Sequence, residues 1–345
     1  MTLRTLFGIE LPIIQAPMAG VQGSALAIAV SNAGGLGSLP CAMLSPDAIR
    51  RECAAIRAAT SGPFNVNFFC HAAAEPDALR EEAWRAALRP YYDELGLDAT
   101  KLAAAPVRRP FDAESADALA EVKPPVVSFH FGLPSDALLA RVRATGAKVI
   151  ASATTVDEAR WLEARGVDAV IAQGAEAGGH RGMFLTTDVT TQLGTFALVP
   201  QIVAAVRVPV IAAGGIADAR GVKAAMDLGA AGVQIGTAYL LCSEAQTSAI
   251  HRAALKSEAA RHTAMTNVFT GRPARGIVNR VMREIGPMSA LAPAFPMAGG
   301  ALAPLRAAAE GKGSGDFSPL WAGENTTGCR EVGAGEMTRR LAERD

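Results

Sequence analysis

The residues best suited to chemistry in this chain are histidines and amides set among glycines. His130 lies in Ser128-Phe129-His130-Phe131-Gly132, at the end of an apolar run. An imidazole there can serve as a base near neutral pH, and a satisfied core histidine is the equal alternative. His180 belongs to Gln173-Gly174-Ala175-Glu176-Ala177-Gly178-Gly179-His180-Arg181-Gly182. Glycines at that density make a flexible loop able to lie flat against a planar ring. Gln173 offers an amide that can donate and accept at a heterocycle's edge. A mobile surface loop is the ordinary explanation of such a cluster.

Two more glycine turns suit an oxyanion. Ala212-Ala213-Gly214-Gly215-Ile216 and Val233-Gln234-Ile235-Gly236-Thr237 each close a short apolar run. Their backbone amides can approach a phosphate closely, a following helix N-terminus favours negative charge, and Thr237 adds a hydroxyl. Tight turns alone would also use these glycines. At Gln15-Ala16-Pro17-Met18-Ala19-Gly20, small residues and a Pro-Met turn can pack beneath a ring, or simply connect a strand to a helix. Asn65 and Asn67 share one strand face, as ring contacts or as interior hydrogen bonders.

Alternating elements must hold these residues. Short apolar runs occur at Pro12–Ala16, Leu36–Leu39, Phe64–Phe69, Val126–Phe131, Lys148–Ser152, Ala169–Ala172, Val210–Ala213 and Gly232–Ile235. Between them, helical spacing marks Ser24–Asn32, Pro46–Ala58, Asp77–Leu95, Ser135–Ala144, Val156–Arg165, Thr195–Val206 and Ala217–Leu228. Repeated βα units predict a parallel sheet. Eight of them favour an α/β fold of the closed (β/α)8 TIM-barrel type over an open Rossmann-like sheet, since no GxGxxG follows the first strand. The candidate residues then fall at strand C-terminal ends, where barrels of this kind do their chemistry.

Two regions exceed the minimal unit. Residues 71–124 form an insertion after the third strand, with Pro90–Pro110 expected as a loop. Residues 1–243 are expected to form the barrel, and 244–345 a helical and loop segment over its mouth that contributes to the substrate site.

Composition excludes several function classes. Lys plus Arg equals Asp plus Glu at 33 each, so no net charge draws the chain to nucleic acid or anionic membrane. Half of the residues are hydrophobic, enough for a large core. Five dispersed cysteines make neither a disulfide framework nor a CxxC metal site. No signal peptide or membrane span is expected, which points to a cytoplasmic protein, a monomer or small homo-oligomer, with a small-molecule substrate and no bound metal.

Together these stretches are specific. Pro12–Gly20, Asn65–Cys70, Ala172–Gly182 and Ala212–Ile216 closely resemble the motifs of the class I nitronate monooxygenases, formerly 2-nitropropane dioxygenases. FTGRPARGIVNR (Phe269–Arg280) and DFSPLWAG (Asp316–Gly323) are similar to that family's C-terminal part. The resemblance implies a barrel holding FMN non-covalently. Asn67, Gln173, Gly178, Gly215, Gln234, Ile235, Gly236 and Thr237 match its flavin-binding positions. Ala16, Pro17, Met18, Gly179 and Gly214, from the turns above, complete the expected cofactor contacts. His130 matches the active-site histidine, with His180 as a second candidate. His71, His251 and His262 are expected to be structural or exposed. Arg272 and Arg275 can address an anionic substrate or brace the C-terminal segment. Tyrosine is scarce where the family can use it to line the substrate site, and Phe111, Phe295 and Phe317 are expected to fill that space.

The activity implied is oxidation of alkyl nitronates, propionate 3-nitronate in particular, by O2 through a flavosemiquinone, giving a carbonyl compound and nitrite. A nitronate is already a carbanion equivalent, so His130 acts as a base only if neutral nitroalkanes are used. An FMN-dependent NAD(P)H reductase of quinones or enoyl thioesters is the nearest alternative, and a non-catalytic flavin-binding protein another. A barrel with a cysteine nucleophile is disfavoured, because the loop after the sixth strand holds no cysteine.

Overall fold

Short strands of branched residues, buried on both faces, call for a parallel sheet covered by helices. The computed structural model, which describes residues 2–75, 77–99 and 109–343, has that arrangement. The strands are β1 (Ile13–Gln15), β2 (Gly37–Pro40), β3 (Phe64–Phe69), β4 (Val126–His130), β5 (Lys148–Ala153), β6 (Ala169–Gln173), β7 (Gly179–His180), β8 (Val210–Ala213), β9 (Gly232–Ile235), β10 (Thr263–Thr266) and β11 (Ala274–Ile277). The helices are α1 (Leu3–Phe7), α2 (Ser24–Asn32), α3 (Pro46–Ala59), α4 (Ala78–Leu95), α5 (Ala113–Val122), α6 (Asp136–Ala144), α7 (Val156–Ala164), α8 (Thr195–Ala205), α9 (Ala219–Asp227), α10 (Ala249–Leu255), α11 (Arg280–Glu284), α12 (Ala298–Gly311) and α13 (Ala334–Ala342).

Eight strands pair in parallel in the order β1-β9-β8-β6-β5-β4-β3-β2. The two ends meet through a parallel bridge between Ile14 and Leu36, where the Leu36 N–H donates to the Ile13 carbonyl at 2.9 Å. The sheet therefore closes as a (β/α)8 barrel. Ile14, Leu36, Val126, Ile150, Ile171 and Ile211 fill its interior, and Leu3, Leu6 and Phe7 of α1 plug the end where the strands start. Gly232 leaves room for that plug: a Cβ there would lie 2.3 Å from Leu3 Cδ1.

Helix starts follow the local signals. Ser45, Ser135 and Thr155 accept hydrogen bonds from the first turns of α3, α6 and α7, so side chains satisfy orphan N–H groups. The third-strand insertion meets one expectation and not the other. Helix α4 falls where helical spacing marked Asp77–Leu95, and it runs through Pro90, where the expected Pro90–Pro110 loop was to begin. The reason is burial: Trp84, Leu88, Tyr91 and Tyr92 repeat at helical spacing and pack with Leu302 and Leu305 of α12. Trp84 Nε1 donates to the Ala298 carbonyl at 3.1 Å and Tyr92 Oη to that of Ala301 at 2.6 Å. Such packing outweighs the local cost of an interior proline. Residues 100–108 of that expected loop lie outside the described residues.

A second sheet, in the order β10-β11-β7, was not anticipated. It pairs Gly179 and His180 of the glycine loop with Arg275 and Ala274. No helix among the described residues is long and apolar enough to cross a membrane.

Candidate active site

Parallel strands deliver their last residues to one end of a barrel, and here those ends surround a cleft. It has about 1350 Å3 of atom-free space, counting solvent at its mouth. Ala16, Pro17 and Met18 follow β1, Asn67 and Phe69 end β3, and Ser128 and His130 end β4. Gln173 and the loop Glu176–His180 come from β6, Gly214 and Gly215 from β8, and Gln234 to Thr237 from β9. The candidate cofactor contacts and both candidate histidines thus border a single cavity. Lys and Arg side chains are missing from the described lining.

His130 is half-buried, and each ring nitrogen has a partner. Nε2 lies 3.1 Å from the His180 carbonyl oxygen and Nδ1 3.1 Å from Ser152 Oγ. A carbonyl can only accept, so Nε2 carries the ring proton and Nδ1 accepts from the serine hydroxyl. Burial pushes the imidazole down to about 3, and the charges of Arg272 and Arg181 add to that effect. The ring is neutral at physiological pH.

Gln173 is also turned onto the loop. Its Nε2 donates to the same His180 carbonyl at 3.0 Å, while its Oε1 accepts from the Gly182 N–H at 2.7 Å. One N–H and one lone pair remain for a ligand. Asn67 Nδ2 donates to Ser128 Oγ at 2.9 Å, which leaves its Oδ1. Asn65 sits below the cavity and donates to Ser38 and Ser128, so it takes the interior role of its two alternatives. The Pro17-Met18 turn is fixed by Gln22, whose Oε1 accepts from the Met18 N–H at 2.9 Å and from Gln15 Nε2 at 2.7 Å.

At the two glycine turns, Gly214 and Gly215 have φ of 117° and 72°, values that favour glycine. Asp218 already caps α9, accepting from the Gly221 N–H at 2.8 Å, so that helix end carries a carboxylate of its own. Thr237 Oγ1 accepts from the Gly323 N–H at 2.9 Å and keeps its proton to donate. Gln234 Oε1 borders the cavity, buried and without a partner.

The glycine loop is anchored from both sides, by Arg181 and Glu158, which sequence reasoning passed over, and by Arg272 and Arg275, which it had offered as a brace or as substrate contacts. Arg181 has no solvent exposure. Its Nη1 donates to the Gly174 carbonyl at 2.5 Å, Nη2 to that of Gln173 at 2.6 Å, and Nε to Gln192 Oε1 at 3.0 Å. Glu158, also fully buried, accepts from the N–H groups of Thr154, Phe184 and Leu185. Arg275 donates to the Ala175 carbonyl at 2.9 Å and pairs with Glu324 at 2.9 Å. Arg272 stacks 3.9 Å over the Phe131 ring and donates to the Met183 carbonyl. Both arginines brace the loop. Neither borders the cavity.

None of the three phenylalanines expected at the substrate site is among the residues that line the cavity. Phe295 packs against His71 and His180, with ring centroids 4.8 and 5.4 Å away. Phe111 instead packs on Phe68 and Phe129 in the barrel's outer core, and Phe317 on Tyr91, because their neighbours there are apolar. Trp321, in the C-terminal part, lines the cavity with its ring 5.7 Å from that of His180. Its place in LWAG, two residues before Gly323, was the available signal. Ser128 stands two residues before His130 on the same strand face, another readable signal.

Comparison with known proteins adds a separate line. A family model described as nitronate monooxygenase matches residues 1–343. The chain is 43% identical to a nitronate monooxygenase of Pseudomonas aeruginosa, covering 98% of this chain and 97% of that one. It is also 43% identical to one of Paraburkholderia phytofirmans, at 98% and 93% coverage. Among solved structures, nitroalkane oxidase from Streptomyces ansochromogenes superposes with a TM-score of 0.88 at 39% identity, covering 99% of this chain and 96% of that one. FabK from Thermotoga maritima superposes at 0.73 and 29% identity, covering 99% and 94%.

Proposed function

The chain belongs to the nitronate monooxygenase family of oxidoreductases, and from that membership we propose that it oxidises small alkyl nitronates with O2 using non-covalently held FMN. The observation that carries the reading is the convergence of eight strand ends on one cleft whose walls are glycine turns, amides and a neutral histidine.

The residues present fit such a cofactor. Gln234 Oε1 is a buried acceptor without a protein partner, as a site shaped for a ligand's N–H or O–H requires. A Cβ built on Gly179 meets nothing within 4 Å, so that backbone faces open space where a flat ring can lie against it. Gly215, Gly236 and the Thr237 hydroxyl are the candidates to hold the phosphate, through backbone N–H groups and one O–H. With Asp218 capping α9, the turns carry this role more than the helix end. Asn67 Oδ1 and the spare groups of Gln173 are the candidates for the ring's polar edge, above Ala16, Pro17 and Met18. Ile235, Gly178 and Gly214 line the same cavity and complete the candidate contacts.

The flavin, when bound, supplies the redox chemistry, taking electrons from the nitronate and passing them to O2, with a carbonyl compound and nitrite as products. The protein's share is position and electrostatics. A nitronate arrives without a proton to lose, and the site matches that. His130 is neutral, with both nitrogens engaged, and so is a poor base. It serves as a hydrogen-bonding wall that sets the His180 loop. His180 and Trp321 bound the space left for the substrate, and Phe295 backs His180.

The test is anaerobic. Purified protein is mixed with propionate 3-nitronate, or separately with NADH, and its visible spectrum followed. Flavin absorbance that changes with the nitronate and ignores NADH is the expected result. Fast bleaching by NADH, with no response to nitronate, would overturn the proposal in favour of a reductase.

A further inference from the structure

His251 is one of the least exposed side chains at the cavity, with 4% of its surface accessible. It sits on α10, outside the barrel strands, and borders the same cleft as Met18, Leu240 and Trp321. Its Nε2 is buried and has no hydrogen-bond partner. The ring does have one polar neighbour, the Trp321 backbone, whose effect is to raise the imidazole's proton affinity. Only an acceptor does that, so the neighbour is the carbonyl, and the ring's proton sits on the nitrogen facing it. Burial outweighs this contact and keeps the ring neutral near pH 7, pushed down to about 4.

A neutral imidazole that donates from one nitrogen has a bare lone pair on the other. Here that lone pair is Nε2, out of water and beside a cavity. Buried acceptors in this condition are rare, because losing hydration without replacement is costly. The cost is removed when a bound molecule supplies a donor.

We propose that His251 is a ligand-binding residue, whose Nε2 accepts a hydrogen bond from an O–H or N–H group of the molecule held in the cleft. The cofactor carries that chemistry, in its hydroxyl and N–H groups, whereas a nitronate offers only acceptor oxygens. The assignment rests on the functional reading above, in which cofactor and substrate share this cleft.

His251→Phe keeps a flat ring and removes the acceptor, while His251→Gln places an amide oxygen near the position of Nε2. Apoprotein carrying His251→Phe should melt at or above the wild-type temperature, since an unpaired acceptor is gone. Its FMN dissociation constant, read by fluorescence quenching, should rise roughly three- to tenfold. KM for propionate 3-nitronate, which has no donor to offer, should stay near the wild-type value when FMN is saturating. His251→Gln should recover most of the lost FMN affinity. Should His251→Phe fail to fold, wild-type protein labelled with 15N-histidine gives the same answer. Its Nε2 resonance should move on adding FMN.

Unchanged FMN affinity in folded His251→Phe, or an Nε2 resonance that FMN does not move, overturns the assignment and leaves a water as the partner. Wild-type protein that binds no flavin overturns the functional reading, and this inference with it.

Discussion

The Nε2 of His130 lies 3.1 Å from the backbone oxygen of His180, so the fourth barrel strand holds the glycine loop that follows the sixth. Gln173 donates to the same oxygen at 3.0 Å. One carbonyl thus gathers two side chains from different strands, and it fixes the tautomer of His130. A proton on Nε2 leaves Nδ1 to Ser152, and neither nitrogen points a free lone pair at the cleft.

Replacement of His130 by Asn should therefore lower turnover of nitronates and of neutral nitroalkanes by similar factors, roughly tenfold, the size of one lost hydrogen bond. The same neutral ring predicts that kcat/KM for a nitronate shows no inflection from His130 between pH 6 and 8, because its pKa is pushed down to about 3. Steady-state kinetics on both substrates decides the point. A nitroalkane loss a hundredfold larger than the nitronate loss would restore the base role.

Arg181 offers a second test. Its guanidinium is buried without a carboxylate in direct contact, and burial brings its pKa down to about 10. Its donors go to the carbonyls of Gln173 and Gly174 and to Gln192, which in turn donates to Thr154. Arg181→Met would strand these acceptors, each worth about 1–3 kcal/mol, against the relief of removing a buried charge. The expected net loss is about 2–4 kcal/mol, with weaker FMN binding as the loop loosens. Lysine should not rescue, since one ammonium cannot span the fork. Urea unfolding and flavin titration measure both effects; stability within 0.5 kcal/mol of wild type would contradict the anchoring role.

Neighbouring glycines should respond differently. A Cβ on Gly178 would lie 2.5 Å from the Gly323 backbone nitrogen and 2.6 Å from the Ala322 carbonyl carbon. Backbone cannot step aside as a side chain can, so Gly178→Ala should push the Trp321–Asn325 stretch off the loop and cost several kcal/mol. Gly179 has φ of 69° and open space around it, so Gly179→Ala carries about 1–2 kcal/mol of backbone strain. Because that methyl would point into open space at the cleft, its larger effect should be on flavin affinity. Equal melting temperatures for the two variants would refute this ranking.

These contrasts mark what was legible in the sequence. The strands could be placed because branched apolar runs between helices have few other folds available, and β3, β8 and β9 fall on the same residues in both readings. The glycine turns at Gly214 and Gly236 stood out for a related reason, since their backbone roles depend on the absence of a side chain. Partnerships across the chain were not legible. Gly179 pairs with Arg275 nearly a hundred residues on, and nothing local announces it. Pro90 left two readings in conflict, a helix to Leu95 and a loop from Pro90, and the packing of Tyr92 with Leu302 decides for the helix. His251 carries no motif, and its place at the cleft depends on how α10 docks.

Acid should act on the two neutral imidazoles together. Burial holds His130 near 3 and His251 near 4, both below the ordinary 6.5. As pH falls below about 6.5, unfolded chains take up protons at these positions while folded ones do not. The unfolded state then binds more protons, so stability drops with acidification, by about 1.4 kcal/mol per pH unit per histidine. The effect is absent above pH 7 and ends for each group once its folded pKa is passed. Between pH 6.5 and 5 the two should remove about 2–4 kcal/mol, above the range where ordinary carboxylates titrate. Urea unfolding at several pH values gives the slope. His130→Gln and His251→Phe should each flatten it by roughly half, and an unchanged slope in both variants would mean these rings are not held neutral by the fold.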